Sequence, residues 1–146
     1  MATMSLTKEG SVFVLTLTNG AEQNTMTLDW TEEFQATLDE VAGAEGNAAL
    51  LVTSNDPKFW SNGINLPWLL SQPKDCFPKL ARKLDDLFVR IALLDMPTVA
   101  CLVGHTFAGA AVMAHTPRKD EPVLFRQCYF LNLDWWGDAG GVYVRG

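Results

Sequence analysis

The sequence predicts an α/β fold built around parallel strands, and three observations predict it. Residues 48–53 and residues 98–103 are continuous apolar runs without polar alternation, the pattern of strands buried on both faces. Between them, residues 74–94 carry the strongest helical periodicity in the chain, with Phe77, Leu80, Ala81, Leu84, Leu87, Phe88, Ile91 and Leu94 at three- and four-residue steps. Each apolar run opens into a segment of small and polar residues, 57–69 after the first and 104–111 after the second. Ligands of parallel sheets bind at the carboxyl ends of the strands, so these two segments hold the candidate chemistry.

Taken in order, residues 5–8 and 12–18 read as two strands joined at the turn Glu9-Gly10. In the second strand Phe13, Leu15 and Leu17 form one strongly apolar face. A polar link, residues 19–24, leads to Thr27, a good N-cap for a helix running to about Ala42. Leu28, Phe34, Leu38 and Val41 form its apolar stripe, with Glu32, Glu33, Asp39 and Glu40 turned to water. Residues 67–70 allow a short helical turn, and Trp68 and Leu69 can line a pocket or fill the core. Pro78 falls in the first turn of the long helix, where its missing N–H costs little, and Pro97 ends that run. A last helix starts at Gly109 and runs to about His115. Beyond Thr116 the character changes to a charged, Pro-bounded stretch, a potential strand over 123–133, and a Trp- and Gly-rich end.

A chain of 146 residues is long enough for one domain. At that size roughly 68–70% of the unfolded surface is buried. A net charge of −6, without clustered Lys and Arg, argues against a nucleic-acid partner. Cys76, Cys101 and Cys128 are odd in number and widely spaced, so neither a disulfide framework nor a metal site is indicated. No apolar segment approaches the ~20 residues that span a bilayer, and neither end carries a targeting pattern. The cytoplasm is the default expectation.

Gly63 sits in the polar turn after the first apolar run, and without a Cβ it lets a backbone N–H approach a bound group. The residues alone allow an anion-binding loop or a surface turn. Taken together, Trp60-Ser61-Asn62-Gly63-Ile64-Asn65-Leu66 and Gly104-His105-Thr106-Phe107-Ala108-Gly109-Ala110 resemble the two loop motifs of the crotonase, or enoyl-CoA hydratase/isomerase, family. The form is most similar to the Δ3,Δ2-enoyl-CoA isomerase branch, and the resemblance covers roughly residues 11–115. It divides the chain into a crotonase-like core, 1–115, and a divergent tail, 116–146. The implied fold is a ββα spiral truncated at the C-terminus, because family members are considerably longer. Apolar surface would then be exposed, inviting self-association or pairing with a full-length paralogue.

The resemblance implies an acyl-CoA thioester as ligand, coenzyme A entering as part of the substrate with no separate cofactor. The backbone N–H groups of Ile64 and Gly109 would hold the thioester oxygen as it becomes an enolate, and Ser61, Asn62, Gly63, Asn65 and Leu66 would form the surrounding binding loop. Lys58, Lys74, Lys79, Arg82 and Lys83 are the cations available to phosphates, or else solvated helix charges. The family's CoA-contacting turn would fall at residues 21–24, where Glu22 and Gln23 stand in place of the basic residue the family often carries. Val112 stands where the hydratase branch places a Glu, which removes support for two-Glu hydration. The isomerase branch takes its carboxylate from a later segment, whose nearest counterpart here, 129–134, offers Asn132 in the Glu position and Asp134 as the nearest acid. Two functions follow from the resemblance: an isomerase of fatty-acid β-oxidation, or a non-catalytic relative that binds acyl-CoA or a full-length paralogue. The isomerase branch also works in peroxisomes or mitochondria.

Overall fold

A computed structural model describes residues 2–114. The predicted tail, its strand over 123–133, and the candidate acid Asp134 lie outside the described residues.

Strands β1 (Met4–Glu9) and β2 (Val12–Leu17) form the predicted antiparallel hairpin, with Gly10 at φ +61 in its turn. Strand β3 (Ala49–Ser54) adds parallel to β2, pairing Val14 with Leu51, and β5 (Thr98–Ala100) adds parallel to β3, pairing Leu51 with Val99. The sheet order is therefore β1-β2-β3-β5. Helix α1 (Leu28–Ala42) connects β2 to β3, and α3 (Cys76–Ala92) precedes β5. Thr27 caps α1 as expected, its hydroxyl accepting from the Trp30 amide at 3.2 Å.

The core collects one face of the sheet and the inner faces of both long helices. Phe13, Leu15, Leu17, Leu50 and Val52 are buried with Trp30, Phe34, Leu38 and Val41 of α1 and Leu80, Leu84, Leu87 and Ile91 of α3. Arg90 of α3 pairs with Asp39 of α1, and Lys83 with Glu32, across the outer edge of the helix pair.

Three expectations are corrected. Strand β3 buries only Leu50, Val52 and Ser54, while Ala49, Leu51 and Thr53 stay half-buried, so among the described residues one face is sealed and the other is not. The second apolar run is a strand only at Thr98–Ala100 and is half-buried. After the Cys101 amide bonds to the Val52 carbonyl, the chain leaves this sheet. Helix α3 begins at Cys76, which is buried, whereas Phe77 is exposed; the inward stripe runs 76, 80, 84, 87, 91.

The sequence reading also missed a second sheet. Strand β4 (Phe59–Ser61) pairs in parallel with β6 (His105–Thr106), followed respectively by the short helix α2 (Leu66–Leu70) and by α4 (Gly109–Ala114). Trp60, fully buried, anchors this small sheet to the core. Gly104 makes the bend possible, since a Cβ there would lie 2.5 Å from the Lys58 carbonyl oxygen.

Candidate functional site

Pairing β4 with β6 brings together the two loops singled out in the sequence. The Phe107 amide donates to the Ser61 carbonyl at 3.1 Å, locking one loop to the other. A Cβ on Gly63 would lie 2.7 Å from the Phe107 oxygen and 3.3 Å from the Gly109 nitrogen, so only glycine lets the loops approach this closely. Gly63 also has φ +78, the left-handed region that penalises any side chain. On the other side, a Cβ at Gly109 would sit 4.0 Å from the Ile64 side chain. Ile64 and Gly109 are therefore neighbours across a contact that passes through Gly63.

A third segment, running on from the 21–24 turn that the resemblance implies for coenzyme A, aims the loop. After a 3-10 turn at Gly20–Glu22, Gln23 and Asn24 both take left-handed conformations, at φ 56 and 50. The chain then runs beside residues 61–65. The Asn62 amide donates to the Gln23 carbonyl at 3.0 Å, the Met26 amide to the Gly63 carbonyl at 2.8 Å, and the Asn65 amide to the Met26 carbonyl at 3.0 Å. Met26 and Ile64 thus form a parallel bridge in which only Met26 uses its own backbone groups. A trans peptide holds its C=O and N–H on opposite sides. With the Gly63 oxygen fixed on Met26, the Ile64 N–H points away from that segment.

Neither the Ile64 N–H nor the Gly109 N–H donates a hydrogen bond among the described residues. For Gly109 the reason is its place as the first residue of α4, where the leading amides have no intrahelical acceptor. Two unengaged main-chain donors, one aimed by a bridge and one by a helix start, are what an anionic oxygen can accept from.

The side chains of the predicted binding loop mostly face their own protein. Ser61 is fully buried, its hydroxyl donating to the Asn24 carbonyl at 2.7 Å and accepting from the Gly63 amide at 3.2 Å. Asn62 donates to the Gln23 side-chain oxygen at 2.7 Å. Asn65 donates to the Thr25 hydroxyl at 3.0 Å and caps α2 by accepting from the Trp68 amide at 2.9 Å. Leu66 is exposed at the start of α2, and Trp68 is half-buried against the core. The signal that could have found the third segment is Gln23-Asn24, because Asn tolerates the left-handed region better than other side-chain-bearing residues.

Of the candidate cations, Lys79 is bound to Asp75 at 2.6 Å and Lys83 to Glu32 at 3.0 Å. Lys58 lies over the Phe59 ring, while Lys74 and Arg82 are exposed on and just before α3. His105 is exposed and stacks with Phe107 at 5.7 Å. Val112 is exposed on α4. Among the described residues no group of three or more His, Cys, Asp or Glu side chains is placed to hold a metal ion. No described helix is long and apolar enough to cross a membrane.

A strand-helix spiral whose two strand-end loops set a main-chain N–H beside a helix-starting glycine defines the crotonase class of α/β proteins. Solved structures share that fold: an enoyl-CoA hydratase from Bacillus anthracis superposes with a TM-score of 0.75 at 15% identity, covering 80% of this chain and 45% of its own. One from Geobacillus kaustophilus gives 0.75 at 24% identity, covering 81% and 44%. Residues 7–117 match the enoyl-CoA hydratase/isomerase family, and the chain belongs to it. Among curated relatives, enoyl-CoA delta isomerase 3 of Arabidopsis thaliana is 31% identical over 129 residues, 83% of this chain and 54% of that protein. Peroxisomal enoyl-CoA delta isomerase 2 of the same plant is 32% identical over 133 residues, with the same coverage. The chain spans about half the length of the curated relatives it matches.

Proposed function

We propose that this chain carries the enolate-binding half of a Δ3,Δ2-enoyl-CoA isomerase site, acting on unsaturated acyl-CoA in fatty-acid β-oxidation. The observation that supports it best is the pair of donors, Ile64 N–H and Gly109 N–H, unengaged among the described residues and held on either side of Gly63. In the reaction a base removes a proton from the α-carbon of a 3-enoyl thioester. The electron pair delocalises through the thioester, leaving negative charge on its oxygen, and the proton returns at the γ-carbon to give the 2-enoyl product. Main-chain donors stabilise the charge that develops on that oxygen, and removing one donor of this kind costs about 10²–10³ in rate.

The base in this reading is Asp134, the acid nearest in sequence to the branch's carboxylate position. Coenzyme A arrives as part of the substrate and no separate cofactor is used. Of the five candidate cations, Lys58, Lys74 and Arg82 are the ones open to its phosphates, since Lys79 and Lys83 are in ion pairs. A peroxisomal setting accords with two of the relatives, the peroxisomal enoyl-CoA delta isomerases 1 and 2 of Arabidopsis thaliana. A second reading, binding of acyl-CoA or of a full-length paralogue without turnover, draws its support from Asn132, an amide where the isomerase branch has its Glu, beside Val112 where the hydratase branch has one.

The test is turnover of a 3-enoyl-CoA beside calorimetric titration of the same ligand. Turnover lost on Asp134→Asn supports the isomerase reading and locates its base. Binding without turnover favours the second reading, and absence of binding removes both.

A further inference from the structure

We propose that Asn24 is a positioning residue for the enolate site, an inference that rests on the enolate-binding reading above. Asn24 is fully buried, and its left-handed backbone, at φ 50, turns residues 24–26 toward the 61–65 loop. Its side-chain amide donates to the Ser54 hydroxyl at 2.9 Å and to the Phe59 carbonyl at 3.2 Å. Ser54, at the end of β3, donates in turn to the Phe59 carbonyl at 2.8 Å. The end of β3 and the start of β4 are thereby tied to one side chain.

From the same residue a second path reaches the site. The Asn24 carbonyl accepts from the Ser61 hydroxyl at 2.7 Å, and that hydroxyl accepts from the Gly63 amide at 3.2 Å. Gly63 has no Cβ to restrict rotation of its flanking peptides, so hydrogen bonds must hold both of them. Ser61 holds the peptide before it and Met26 the peptide after it, and the latter carries the Ile64 N–H. Asn24 acts through Ser61 on the first of these restraints. Hydrogen bonds to an ionised acceptor are stronger and gain more from good alignment than those to a neutral carbonyl. Displacing Asn24 should therefore weaken binding of an enolate more than binding of an unionised thioester.

The probes are two CoA thioesters of equal chain length, one saturated and one a 3-ketoacyl thioester that ionises to an enolate, each titrated by calorimetry. The wild type prefers the ionisable ligand. In Asn24→Gly, which keeps the left-handed backbone and the residue-24 carbonyl but deletes the amide, that preference falls by about tenfold or more while affinity for the saturated ligand is retained. An unchanged ratio, or an equal fall in both affinities, overturns the proposal, because a purely structural anchor would do no more than that. If circular dichroism shows that Asn24→Gly does not fold, Ser61→Ala carries the same test by cutting the link between the Asn24 carbonyl and the Gly63 amide, with the same two outcomes. Failure of the wild type to bind either thioester removes the enolate-binding reading itself, before any variant is made, and this inference with it.

Discussion

The Met26 amide donates to the Gly63 carbonyl at 2.8 Å, and this bond sets where the Ile64 N–H points. The two residues lie on separate segments, with helix α1 and strand β3 between them in the chain. What fixes a donor in this site is therefore a pairing of backbones, with few side chains of its own. Its sensitivity to mutation should follow the backbone geometry, and the glycines report that geometry most directly.

Gly63→Ala places a Cβ 2.7 Å from the Phe107 carbonyl oxygen, at a residue with φ +78. The left-handed penalty and the backbone clash together should destabilise the fold by roughly 2–4 kcal/mol. Urea unfolding measures this directly, and a loss under about 1 kcal/mol would show that the two loops separate at little cost. Acyl-CoA binding should fall with it, because the loops cannot keep their spacing around the added methyl.

Gly104→Ala and Gly46→Ala separate steric closeness from backbone conformation. Gly104 is not left-handed, but a Cβ there meets the Lys58 carbonyl oxygen at 2.5 Å, where the chain crosses from one sheet to the other. Gly46 is left-handed, at φ +80, with nothing within 4 Å of the added carbon. Gly46→Ala should cost about 1–2 kcal/mol, and Gly104→Ala more, with disruption of the β4-β6 pairing. Equal losses in thermal unfolding would contradict the tight crossing at Gly104.

Much of this architecture was legible because it rests on long periodic patterns. The hairpin, the Thr27 cap, the stripe of Phe34, Leu38 and Val41, and the long α3 helix all carry their signal in side chains. Strands β4 and β6 do not, since three and two residues are too few to show a period. The resemblance placed a CoA-contacting turn at 21–24, but how residues 23–26 hold the 61–65 loop was not legible, for a different reason. Three of that segment's hydrogen bonds with the 61–65 loop run between main-chain amides and carbonyls, which any residue supplies, and its turn depends on left-handed Gln23 and Asn24. Phe77 misled because its spacing fits the apolar stripe, yet the start at Cys76 turns a different face inward.

The exposed pair Asp75–Lys79 gives a pH dependence of known sign. The Lys79 ammonium, by hydrogen bond and then by charge, holds the Asp75 carboxyl below the usual carboxylate range. A carboxyl with its folded pKa depressed contributes stability that is present above its unfolded pKa and lost as pH falls through the folded value. Thermal midpoints should therefore lose a small contribution on acidification below about pH 4. Lys79→Gln should remove that contribution, and high salt should screen it. A dependence unchanged by Lys79→Gln would assign the acid sensitivity to other carboxylates.

Val112→Glu tests whether the loop geometry can support proton transfer once a carboxylate stands three residues after Gly109. Val112 is 55% exposed on α4, so the substitution should shift stability by no more than about 0.5 kcal/mol. A carboxylate here is one turn beyond Gly109, on the helix whose first amide is a proposed enolate donor. Positioned acid-base groups contribute typically 10²–10⁴ in rate, and a carboxylate introduced without its own supporting contacts should give a smaller gain, about tenfold. The measurement is deuterium uptake from heavy water at the α-carbon of a saturated acyl-CoA, which needs a base and a stabilised enolate but no double-bond shift. Faster uptake in Val112→Glu, abolished by adding Gly63→Ala, would place the new carboxylate and the two backbone donors on the same thioester. Uptake no faster than in the wild type, in a variant that still binds acyl-CoA, would mean that α4 directs residue 112 away from the ligand.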